Sequence, residues 1–115
     1  MSKKTYATLA ALASAVGVAI PAIPAVALGG ARAASTHTVI LKNLRFHPGT
    51  LSINHGDSVR WVWKDGEEHN VTFHGAHSRT MTHGSYTLRF TRAGTFNYRC
   101  TIHESEGMRG KIVVH

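Results

Sequence analysis

The chain has 115 residues, enough for one domain, and its single cysteine excludes an intrachain disulfide framework. Lys+Arg 13 against Asp+Glu 6 gives a net +7. After residue 33, ten basic and six acidic residues leave +4, and the basic ones are dispersed, which argues against nucleic-acid binding and leaves a weak preference for acidic partners.

The first 33 residues read as a secretory signal peptide. Lys3 and Lys4 form a positive start, and an apolar run from Ala7 to Ile20 follows. Pro21 and Pro24 break any helix there. Ala31-Arg32-Ala33 fits a small-x-small cleavage site, with Ala25-Val26-Ala27 as a second candidate. The rival is an uncleaved membrane anchor, because Thr5 to Ala31 carries no charge and could span a bilayer. No cysteine lies near the cleavage site, which excludes a lipid-anchored lipoprotein. The expected organisation is signal peptide 1–33 and one domain, 34–115, in the periplasm or outside the cell, with no stable membrane insertion after cleavage.

The 82 residues from Ala34 to His115 alternate short strand patterns with turn signals and show no helical period. Thr38 to Leu41 is a first strand, and Phe46 to Gly49 a turn. Leu51 and Ile53 mark a second strand, and His55-Gly56-Asp57 a turn. In a third strand, Ser58 to Lys64, Val59, Trp61 and Trp63 share one face and form a core stripe. Lys64 to Glu68 is a polar loop. His69 to Phe73 is a fourth strand with His69, Val71 and Phe73 on one face. A polar loop spans His74 to Gly84. Tyr86 to Phe90, Phe96 to Cys100 and Lys111 to Val114 complete seven strands, which argue for an antiparallel β-sandwich or barrel. Cys100 continues the inward face of Phe96 and Tyr98, and His69 shares the face of Val71 and Phe73.

Cys100, His103 and Met108 place a thiolate, an imidazole and a thioether on one short loop. These donors suit copper, and such a set needs one further strong ligand from elsewhere. An exported chain with one cysteine leaves Cys100 three roles: an intermolecular disulfide, a buried inert thiol or a metal ligand. A zinc site prefers more sulfur or histidine and no methionine. A Cys–His nucleophile pair needs an accessible thiolate and an oxyanion site, neither of which the pattern suggests.

The ordered motifs resemble the cupredoxins, the small blue-copper proteins, and within them the plastocyanin, pseudoazurin and amicyanin branch. The resemblance rests on Phe46-x-Pro48 with Leu51, Gly56-Asp57-x-Val59-x-Trp61, and His69-Asn70-Val71. It continues in Gly94-Thr95-Phe96-x-Tyr98-x-Cys100-x-x-His103 with Met108 and Gly110. It implies a Greek-key β-sandwich and one type 1 copper ion held by His69, Cys100, His103 and Met108. It also implies that the Asn70 N–H donates to the Cys100 sulfur and that the Asn70 side chain ties to Thr101. The function implied is that of a monomeric carrier of single electrons between a redox protein donor and acceptor, not an enzyme, with exchange through the edge of His103. Two departures stand out. Ile102 replaces a proline common in relatives, and Glu104-Ser105-Glu106 puts two carboxylates beside an imidazole that usually lies in an apolar patch.

His74, His77, Met81 and His83 form a second concentration of possible donors. They are either a solvated loop or a second copper site, which would make the chain an exported copper carrier or storage protein. A copper oxidase or nitrite reductase would need further copper centres, and the chain has no His-x-His pair or second domain to hold them. His37, His47, His55 and His115 read as surface residues without partners.

Overall fold

The computed structural model describes residues 32–115, and Ala34–His115 forms one compact unit. All of the segment read as a signal peptide except its last two residues lies outside the described residues.

Eight strands make up the unit: β1 Thr36–Lys42, β2 Arg45–His47, β3 Thr50–Ile53, β4 Ser58–Trp63, β5 Thr72–Phe73, β6 Gly84–Arg89, β7 Gly94–Arg99 and β8 Arg109–Val114. They form two four-stranded sheets, ordered β2-β1-β4-β6 and β3-β8-β7-β5. The expected β-sandwich is present, but its pairing is mixed. β1 runs parallel to β4, from Thr36↔Ser58 to Leu41↔Trp63, and β3 runs parallel to β8. The intervening strand β3 leaves for the other sheet, so β4 returns beside β1 in the same direction. Parallel neighbours need such a crossover, whereas alternation along a single strand does not reveal it.

The alternating residues meet between the sheets. Val39 and Leu41 of β1, Val59, Trp61 and Trp63 of β4, Tyr98 of β7, and Ile112 and Val114 of β8 are all buried. Trp61 crosses the gap and meets the Tyr98 ring edge-on, with centroids 5.4 Å apart. Phe46 meets the same ring at 4.6 Å. Contacts of this kind contribute about 0.5–1.5 kcal/mol each beyond the area they bury. Tyr98 packs so closely on β8 that a β-carbon at Gly110 would collide with its ring.

Two local expectations change. The predicted turn at Phe46–Gly49 begins as strand β2, which pairs antiparallel with β1 across the two-residue connection Asn43-Leu44. Both connecting residues have positive φ, 56° and 57°, as a tight hairpin of this kind requires. Neither is glycine, so the usual sequence mark of that turn is missing. The predicted strand His69–Phe73 contracts to Thr72–Phe73, because the residues before it pair instead with the following loop. His69 bridges Met81, and the Val71 N–H donates to Ser78 Oγ at 2.9 Å. The loop from His74 to Gly84 is therefore partly folded back onto the sandwich.

Candidate metal centre

β7 ends at Arg99 and places Cys100, still fully buried, at one end of the sandwich. The chain then closes a compact loop before β8. The Cys100 N–H donates to the Met108 carbonyl at 3.1 Å, and the Met108 N–H donates to the His103 carbonyl at 3.2 Å. Between them lies a short 3-10 turn, Glu104–Glu106, closed by Gly107 at φ 95°. That left-handed conformation suits glycine, since a side chain there would be strained. Arg45 fastens the turn from β2 by donating to the Glu106 carbonyl at 2.9 Å.

His69 enters from the connection between β4 and β5. Its backbone N–H and carbonyl both pair with Met81 at 3.0 Å, and its carbonyl also accepts from the Trp63 indole N–H at 3.0 Å. Its ring is fully buried, as are Cys100 and Met108, while His103 is half-buried. Nδ1 of His69 lies 3.3 Å from Nδ1 of His103, which lies 3.6 Å from Cys100 Sγ. One ligand atom from each of the three residues falls within 4.8 Å of the other two.

This cluster passes a chemical fit test for copper. It joins two imidazole nitrogens to one sulfur, and the buried thiol is the only cysteine in the chain. Among the described residues it is the only group of three or more His, Cys, Asp or Glu side chains able to hold an ion. His74, His77 and His83 of the second histidine concentration form no such group.

The frame around the cluster is well connected. Asn70 Nδ2 donates to Thr101 Oγ1 at 2.9 Å, and the Thr101 N–H donates to Asn70 Oδ1 at 3.0 Å. Those reciprocal bonds tie the two ligand-bearing segments together as expected. The expected bond from the Asn70 N–H to the Cys100 sulfur is not formed among the described residues. Glu104 turns away from His103 to pair with Arg99 at 3.1 Å and Arg109 at 3.2 Å. Glu106, Asp65 and Glu67 instead line a cleft of about 470 Å³ that reaches His103. Ile102, the residue before His103, is an open apolar side chain, 45% exposed.

Sequence reasoning misses two contributors here. Trp63 reads only as core, and Asp65 only as part of a polar loop. Asp65 Oδ1 lies 3.0 Å from His69 Nε2, on the side of the ring away from the cluster. Its position four residues before His69 is the one available hint, and it has meaning only once the loop's path is known. Three of the four histidines read as lone surface residues also have partners. His37 pairs with buried Asp57 at 2.9 Å, His47 Nε2 approaches the Lys42 carbonyl at 2.9 Å, and His55 Nδ1 approaches the His115 carbonyl at 2.9 Å.

Two imidazoles and a cysteine sulfur converging at the end of a two-layer β-sandwich define a small copper-binding protein. The profile of the copper-binding proteins of the plastocyanin/azurin family matches residues 33–115, and the chain belongs to that family. The chloroplastic plastocyanin of Tetradesmus obliquus is 33% identical over 131 residues, covering 96% of this chain and 86% of the relative. Amicyanin of Paracoccus denitrificans is 34% identical over 84 residues, covering 66% of this chain and 63% of the relative. A solved structure of a reduced amicyanin variant superposes with a TM-score of 0.65 at 31% identity, over 75% of this chain and 88% of that one.

Proposed function

We propose that this is an exported, mononuclear type 1 copper protein that carries single electrons between two redox proteins and is not itself an enzyme. The observation that carries the reading is the convergence of His69, Cys100 and His103 within 4.8 Å. When bound, copper supplies a one-electron Cu(I)/Cu(II) couple at this site.

The residues divide the work. Cys100 supplies the thiolate, and His69 and His103 supply two imidazole nitrogens. Met108, fully buried and bonded through its backbone to Cys100 and His103, supplies a weak thioether donor. Three donors share one loop and the fourth is bridged to Met81, so the sandwich limits how far they can move on a change of charge. His103 alone of the four reaches the surface, which makes its outer edge and the adjoining cleft the place where a redox partner approaches.

In this reading residues 1–33 direct export and are removed, leaving 34–115 as a monomer in a periplasmic or extracellular space. No helix among the described residues is long and apolar enough to cross a membrane.

The test is a substitution at the sulfur. Copper-loaded protein should show an intense visible thiolate-to-copper band with one copper per chain, and Cys100→Ser should abolish that band. A Cys100→Ser protein that remained blue would overturn the assignment.

A further inference from the structure

The two nitrogens of His69 face different surroundings. Nδ1 points into the cluster with Cys100 and His103, while Nε2 lies 3.0 Å from Oδ1 and 3.3 Å from Oδ2 of Asp65. The ring is fully buried, and the Asp65 side chain is only 15% exposed.

Asp65 is itself held in place. Its Oδ2 accepts the Asn43 N–H at 2.9 Å, from the turn between β1 and β2, and its Oδ1 accepts the Glu67 N–H at 3.0 Å. Both carboxylate oxygens therefore already act as acceptors of backbone N–H groups where they face His69 Nε2. An ionised carboxylate only accepts hydrogen bonds. In neutral His69 the proton therefore sits on Nε2, and the Nδ1 lone pair is free. The contact between the two Nδ1 atoms then has one sense: His103 donates and His69 accepts.

We propose that Asp65 is a positioning residue for electron transfer. It fixes His69 in the tautomer that offers Nδ1 to copper, and it sets a negative charge one imidazole away, which favours Cu(II) over Cu(I). The inference rests on the type 1 copper reading, and its tests are separable from that reading.

The first test needs no metal. Long-range proton–nitrogen correlation spectra of the copper-free protein should place the His69 proton on Nε2, in a strongly hydrogen-bonded and slowly exchanging position. A proton on Nδ1 would overturn the proposal. The second test uses Asp65→Asn, which keeps the size and one acceptor oxygen but removes the charge. The loaded variant should keep its visible band and bind copper about 10–100-fold more weakly. Its Cu(II)/Cu(I) equilibrium should shift about tenfold toward Cu(I), a rise in potential of about 59 mV. A residue that merely stapled the loop would lower the melting temperature and leave the potential where it was, and that result would also overturn the proposal. If the variant does not fold, the wild-type tautomer decides. Failure of the copper reading would show separately, as wild-type protein that takes up copper without the thiolate band.

Discussion

Two carboxylate–imidazole pairs lie at opposite ends of β4, roughly 20 Å apart by strand rise, with their burial reversed. At the start of the strand, fully buried Asp57 pairs at 2.9 Å with His37, whose side chain is 31% exposed. Just past its end, Asp65 is 15% exposed and pairs at 3.0 Å with fully buried His69. The buried member shows which group the fold protects. Asp57 also accepts the Ser35 N–H at 3.0 Å and the Asn54 N–H at 3.2 Å, so its oxygens clasp the start of β1 to the turn before β4. His69 has one nitrogen committed to Asp65 and the other facing the metal cluster. The same chemical pair thus closes the fold at one end and prepares a ligand at the other.

Removing copper should separate the two ends most sharply. Binding to the folded state alone stabilises it by RT ln(1 + [L]/Kd), about 4 kcal/mol when copper stands at a thousand times its dissociation constant. For a domain of this size that is on the order of 20 °C in melting temperature. The effect should also be local: amide hydrogen exchange should accelerate at residues 67–70 and 100–108 and stay unchanged at 35–37 and 54–58. Equal melting temperatures, or uniform acceleration across both ends, would contradict the division.

The clasp should respond in the opposite way. Asp57→Ala strands the Ser35 and Asn54 N–H groups without their acceptor, and each buried unsatisfied donor costs about 1–3 kcal/mol. A loss of about 3 kcal/mol in urea unfolding is expected. Copper loading and the visible spectrum of the folded fraction should not change. His37→Ala should cost only about 1 kcal/mol, because Asp57 keeps its backbone donors. A shifted spectrum in either variant would mean that the two ends are coupled through β4.

Much of this is legible in the sequence where a side chain's chemistry or its parity decides the outcome. Cys100 is the only thiol, its face is set by Phe96 and Tyr98, and its spacing to His103 and Met108 belongs to one loop. The inward stripe of Val59, Trp61 and Trp63 follows from alternation alone. What escapes depends on where loops travel. The parallel pairing of β1 with β4 depends on β3 crossing to the other sheet. The Asn43-Leu44 turn adopts positive φ without glycine, and Asp65 becomes important only because Asn43 and Glu67 aim it at His69. His37 reads as a surface residue because nothing local to it reveals that Asp57, twenty positions on, is buried beneath it.

Tyr98 provides a smaller test, because it is a buried polar group with no pair at all. Its hydroxyl and the Trp61 indole N–H both lack hydrogen-bond partners. Burial pushes the Tyr98 hydroxyl up to about 12, and the nearby Trp61 N–H offsets this only in part. The folded state therefore holds this proton at pH values where the unfolded chain, with a tyrosine near 10, has lost it. Between those limits the unfolded state binds fewer protons, so stability is fully present below pH 10 and falls as pH rises toward 12. Two units of difference correspond to at most about 2.7 kcal/mol. Tyr86 is raised by burial as well and acts in the same direction. Tyr98→Phe should flatten most of the alkaline slope in urea titrations and cost little at pH 7, because the hydroxyl it removes makes no bond. An unchanged slope would mean that the alkaline loss arises elsewhere, and a large cost at neutral pH would mean that Tyr98 and Trp61 are in fact paired, a third polar tie between the two pairs at the ends of β4.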